Sequence, residues 1–189
     1  MSGREELQDA LRLTAVALET AEIPFALVGG YAAWARGAPE PSHDADFAVR
    51  EQDAPAAREA IAAAGLDVTD PAENWLFKAH YRGELIDVLF RIVGEPVTDE
   101  VLARSDVIEV LAVRMPVMAA TDILATKMRV LGEHACDFTR LLGISRALRE
   151  QIDWDEVERQ TADNPYARSF LHLIHELGVA PRGPGPARA

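Results

Sequence analysis

The feature that most constrains this chain is a four-residue apolar run, Phe25-Ala26-Leu27-Val28, closed by Gly29-Gly30. A run this short and continuous suits a strand covered on both faces. The glycines let the backbone turn sharply and come close to whatever lies above it. Tyr31 to Arg36 then favours helix, which Gly37 stops. Sheet and helix must therefore pack together from the first strand onward.

Before this unit, Leu7, Leu11, Leu13, Val16 and Leu18 recur at near-helical spacing in Glu5 to Thr20, a segment without Gly or Pro, which predicts an amphipathic helix. After it, Pro39 and Pro41 impose an extended loop before a strand over 44–49, and an Ala-rich helix over 54–64 ends at Gly65. Trp75 to Tyr81 and Glu84 to Phe90 flank Arg82-Gly83 and read as a hairpin. Val107 to Val113 reads as the last strand. Beyond Pro116, helices are expected up to Gly132, over 137–150, over 154–161 and over 166–177, forming a carboxy-terminal bundle. The expected organisation is a core over 1–116, a helical region over 117–177 and a disordered tail over 178–189. Trp34 and Trp75 are expected in the core.

Carboxylates sit inside the strand-like runs. Asp44 follows Gly30 by fourteen residues and opens Asp44-Ala45-Asp46-Phe47-Ala48-Val49. Residues two apart on a strand share a face, so Asp44 and Asp46 project together while Ala45 and Phe47 turn away. Asp87 lies within Leu85-Ile86-Asp87-Val88-Leu89-Phe90, where burial of an acid is costly unless a cation or hydrogen bonds compensate it. Three acids converging beside a glycine turn can hold Mg2+, or Mn2+, together with phosphate oxygens, and a pair of such ions stabilises an in-line displacement. Asp87 could also help an acceptor hydroxyl lose its proton. Each motif has a plainer reading: a strand-to-helix turn, a solvated strand face, an edge strand facing water.

Charge and composition narrow the partners. Acids number 31 against 19 Lys plus Arg, and a net charge of −12 with pI near 4.8 opposes a broad nucleic-acid platform. Arg140, Arg146 and Arg149 are the residues that could gather locally into a basic patch, or pair with acids instead. No apolar stretch reaches membrane-spanning length and the amino terminus lacks a secretory h-region, so a cytoplasmic protein without membrane partners is expected. Cys136, the single cysteine, rules out an intrachain disulfide and is expected to be buried. Lys78 and Lys127 are the only lysines beside seventeen arginines. His172 and His175 lie three apart but lack a third ligand, and read as a helix face.

The order of glycine turn, acid pair and third acid resembles the minimal nucleotidyltransferases of the DNA polymerase β superfamily. It is most similar to the bacterial AbiEii-like and MenT-like toxins, over roughly residues 23 to 145. The resemblance implies an α+β nucleotidyltransferase fold, with a short mixed β-sheet flanked by helices and a C-terminal helical bundle. It implies Asp44, Asp46 and Asp87 as metal ligands and catalytic residues, with Gly29, Gly30 and Ser42 at the nucleotide. Lys127, in Thr121-Asp122-Ile123-Leu124-Ala125-Thr126-Lys127, would reach the triphosphate, and Asp137 would orient that lysine or an acceptor group. The implied reaction moves a nucleoside monophosphate from a nucleoside triphosphate, ATP included, to an acceptor hydroxyl. The implied acceptor is the 3′ end of a transfer RNA, with a cognate antitoxin as protein partner. A small acceptor such as an aminoglycoside, or a non-catalytic nucleotide-binding or interaction module, is the alternative. Glu40 stands where many such proteins carry Arg.

Overall fold

The computed structural model describes residues 3–41 and 43–181. The chain divides into two compact units, one of 1–35 with 40–119, the other of 36–39 with 120–189. In the first unit, α1 (Gly3–Thr20) leads to β1 (Phe25–Val28), α2 (Gly29–Ala35) and β2 (Ala45–Val49). A 3-10 turn then enters α3 (Ala54–Ala63), followed by β3 (Asp67–Thr69), β4 (Leu76–Tyr81) and β5 (Glu84–Leu89). The unit closes with β6 (Arg91–Ile92), β7 (Glu95–Pro96), α4 (Asp99–Ala103), β8 (Asp106–Val110) and β9 (Val113–Val117). Seven strands form one mixed sheet in the order β3-β4-β5-β2-β1-β9-β8, and β6 with β7 makes a separate ribbon. The mixed sheet flanked by helices matches the expected class.

Burial explains the central strands. All four residues of β1 are buried, as are Ala45, Phe47, Ala48 and Val49 of β2 and Ile86 and Val88 of β5. The two middle strands lie antiparallel, with Val28 opposite Asp46, while β5 runs parallel to β2 with Asp87 opposite Asp46. The face of α1 that packs on β4, β5, β9 and α3 is Leu7, Ala10, Leu11, Thr14, Ala15 and Leu18. Leu13 and Val16, counted in the sequence periodicity, fall off this stripe, and Val16 is exposed. The small Thr14 and Ala15 occupy the close approach instead.

Several elements depart from expectation. The single strand over 107–113 is two strands, β8 and β9, joined at Leu111 and Ala112, whose φ values are 51° and 62°. Positive φ at both central residues is the hairpin turn usually written Asn-Gly, so an apolar turn carried no signal. Pro116 lies inside β9 rather than ahead of a helix. It is tolerated because pairing to β1 takes hold only at Val117, where Leu27 is the partner and the Met118 N–H reaches the Leu27 carbonyl at 2.9 Å. The short β3, β6, β7 and α4 offer too few residues to show a period. Trp75 stands at the entry to β4 and is 39% exposed, and Cys136 is exposed rather than buried.

The second unit contains α5 (Ala120–Arg129), α6 (Phe138–Leu148), α7 (Trp154–Thr161) and α8 (Pro165–Glu176). Its core includes Met128, Leu141, Leu148, Val157, Phe170 and Ile174. Asn164 ties two helix ends together. Its Oδ1 accepts from the Tyr166 and Ala167 N–H groups, while its Nδ2 donates to the Leu131 carbonyl at 2.9 Å and the Arg129 carbonyl at 3.2 Å. Of the tail, 182–189 lies outside the described residues. Val179 and Ala180 are buried, with their N–H groups on the Ile174 carbonyl. Among the described residues, no helix is long and apolar enough to cross a membrane.

Ala112 is exposed and holds a conformation that costs an L-residue about 1 kcal/mol or more. Ala112→Gly is expected to stabilise the protein by about 1 kcal/mol. The measurement is the urea midpoint, and a lower midpoint would contradict the turn geometry.

Candidate active site

Strand pairing builds a cluster of acids. Because registered neighbours on adjacent strands share a face, the pairing of Asp46 with Asp87 sets the two carboxylates side by side. Asp44 precedes β2 by one position and joins them through the strand alternation. One oxygen from each of Asp44, Asp46 and Asp87 lies within 4.8 Å of the others. Asp44 is exposed, and Asp46 and Asp87 are half-buried. Like charges at that separation repel by about 3–4 kcal/mol per pair at an effective dielectric constant near 20. Such a cluster could hold a cation.

Gly29 is required by the acid itself. A Cβ there would come within 2.0 Å of the Asp46 Oδ2 and 2.8 Å of its Cγ, and the backbone has φ +64°. The missing side chain is space for the Asp46 carboxylate, a closer demand than the phosphate approach suggested by the sequence. A Cβ at Gly30 would meet Pro41 at 3.1–3.2 Å. The glycine turn is thereby shaped on one side by Asp46 and on the other by the Pro41 loop.

Lys78 does not stand out in the sequence as a site residue, yet its Nζ donates to the Asp87 Oδ1 at 2.9 Å. The β4–β5 hairpin turns at Arg82 and Gly83, both with positive φ, and this fixes Lys78 opposite Asp87. Counting outward from the two turn residues would have found the pair, because each step along one strand is matched by a step on the other.

Glu40 faces α1. Its carboxylate pairs with Arg4 and accepts from the Gln8 Nε2 at 2.8 Å and, at 3.5 Å, from the Tyr31 hydroxyl. Burial pushes the Tyr31 hydroxyl above its ordinary pKa, with Arg4 pulling it down and Glu84 adding to the rise. Arg4, Tyr31, Glu40 and Glu84 are among the residues lining a cavity of about 330 Å³. Glu40 is thus engaged by the first helix.

Ser42, expected at the nucleotide, lies outside the described residues. Lys127 lies in the last turn of α5 in the second unit. Asp137 caps α6, its Oδ1 accepting from the Thr139 N–H at 2.9 Å. Asp122 of α5, unremarked in the sequence, is buried and accepts from the Gln160 Nε2 at 3.3 Å.

The chain superposes on the solution structure of the antibiotic-resistance factor ANT(2'')-Ia with a TM-score of 0.66 at 14% identity, across 94% of this chain and 100% of that one. A crystal structure of ANT(2'')-Ia in complex with adenylyl-2''-tobramycin gives 0.61 at 15% identity, across 88% and 98%. The lincosamide antibiotic adenylyltransferase LnuA, lincomycin-bound, gives 0.52 at 11%, across 72% and 92%. The fold is that of the nucleotidyltransferases. At these identities the likeness is one of fold. No family model and no curated protein matches the chain.

The donor set fits a hard divalent ion, since all three side chains offer carboxylate oxygens that converge within one ion's reach. Gly29→Ala is expected to displace Asp46 and to destabilise the fold by at least about 1–2 kcal/mol, from the clash and the left-handed backbone together. Chemical denaturation and Mn2+ titration check this, and wild-type values in both would contradict the close approach.

Proposed function

We propose that this protein is a nucleotidyltransferase that moves a nucleoside monophosphate from a nucleoside triphosphate to an acceptor hydroxyl, using divalent ions held by Asp44, Asp46 and Asp87. The observation that carries the reading is the convergence of these three carboxylates on one face of paired central strands, beside the turn at Gly29. The nucleotidyltransferase fold supports it.

In the proposed reaction the acceptor oxygen forms a bond to the α-phosphorus. The bond from that phosphorus to the bridging oxygen breaks, and pyrophosphate leaves. Mg2+ or Mn2+, when bound, neutralises phosphate charge and stabilises the attacking and leaving oxygens. Asp44 and Asp46, fixed by β2, orient the ligand oxygens, and Asp87 takes up the proton of the acceptor hydroxyl. The turn at Gly29 and Gly30 brings backbone N–H groups towards phosphate oxygens. By the resemblance, Lys127 neutralises triphosphate charge, Asp137 orients it or an acceptor group, and Ser42 contacts the nucleotide. Capping α6 uses Oδ1 of Asp137 and leaves its second oxygen for that role.

Similarity to the AbiEii-like and MenT-like toxins makes the 3′ end of a transfer RNA the proposed acceptor and an antitoxin the proposed partner. A second reading, transfer to a small cationic acceptor, is supported by the net charge of −12 and by structural neighbours that bind antibiotics. The pairing of Arg149 with Glu150 at 3.0 Å takes one arginine from the basic patch that RNA would use.

Incubation with each labelled triphosphate, Mg2+ and either total RNA or aminoglycosides separates the two acceptors. Asp46→Ala is expected to lower transfer at least about a hundredfold while leaving the far-ultraviolet circular dichroism unchanged. Equal labelling by wild-type and Asp46→Ala protein would overturn the assignment. Transfer to RNA, unlike transfer to a small acceptor, is expected to fall steeply as salt rises.

A further inference from the structure

We propose that Lys78 is a positioning residue of the carboxylate cluster, an internal counter-charge that steadies Asp87 when no ion is bound and weakens divalent-ion binding by its own repulsion. The inference rests on the metal-binding reading above. It deepens that reading by naming what sets the cluster's affinity.

The geometry leaves little freedom at this pair. Lys78 faces Asp87 across the β4–β5 ladder, and on its other side β3 places Thr69 opposite it. The lysine side chain is 29% exposed and the aspartate 14%, so the contact is shielded from water more than a surface ion pair is. Phe77 and Ala79, which flank Lys78 on β4, are fully buried and hold the strand to the sheet. The lysine stem thus rises from a fixed point towards a fixed acid.

An ammonium is a compact charge that donates hydrogen bonds and accepts none. Bonded to Oδ1, it leaves the second oxygen of Asp87 for a cation. In the ion-free protein it offsets one of three clustered negative charges. Once a divalent ion is present, the same positive charge opposes it. Because the coupling is reciprocal, the part of Lys78's contribution that is lost when the ion binds, its charge on the cluster, is the part subtracted from ion affinity. A lysine that merely packed against β5 would have the first effect without the second.

The experiment titrates the ion-free, nucleotide-free full chain with Mn2+ by calorimetry and follows thermal unfolding with and without saturating Mn2+. It compares wild type, Lys78→Met, Lys78→Arg and Asp46→Asn. Lys78→Met keeps the length of the stem and removes the charge. It is expected to bind Mn2+ about tenfold more tightly than wild type, to melt at a lower temperature when ion-free, and to recover when Mn2+ saturates the site. Lys78→Arg, which keeps the charge, is expected to bind Mn2+ within about threefold of wild type. Binding that requires Asp46 but is unchanged or weakened in Lys78→Met would overturn the role of Lys78 alone. Binding that is absent in wild type, or undiminished in Asp46→Asn, would overturn the metal reading and this proposal with it.

Discussion

Three carboxylates that repel one another are held within 4.8 Å by the hydrogen-bonded pairing of β2 with β1 on one side and β5 on the other. That pairing is the constraint on which the rest depends. A slip of one residue in either ladder would turn Asp46 or Asp87 to the opposite face and send its apolar neighbours outward. The slip is opposed by Phe47, Ile86 and Val88, all fully buried. Burial of the apolar side of each strand thereby enforces the crowding of acids on the other.

The surroundings soften that crowding by separate means. Gly29 gives the Asp46 carboxylate room by having no side chain. Lys78 offers Asp87 an ammonium from the neighbouring strand. Asp44 remains open to water, where an ionised carboxylate needs no partner. The second unit uses its polar groups differently: Asp137, Asp153 and Asn164 cap helices there.

Much of this was legible in the chain, for reasons that differ by element. The central strands were readable because burial on both faces leaves continuous apolar runs, and the β4–β5 hairpin because Arg82-Gly83 allows positive φ. The helices of the second unit were readable from their period, while the caps made by Asp153 and Asn164 were seen only in the structure. The β8–β9 hairpin was not, since Leu111 and Ala112 occupy a turn whose usual residues are Asn and Gly. Lys78 is marked in the sequence only by its rarity. Glu40 stands out as a departure, and nothing local in the sequence links it to Arg4 and Gln8, more than thirty residues earlier.

By itself the sequence determined on which face of its own strand each acid stands, because side-chain alternation is a property of a single strand. Tertiary structure alone decided that β5 pairs with β2, so that Asp87 meets Asp46. It also decided that the space at Gly29 is filled by a carboxylate, and that Lys78 faces the third acid. These are relations between segments distant in the chain. They depend on strand order and register, which arise when apolar faces are buried together and are not encoded in any one run of residues.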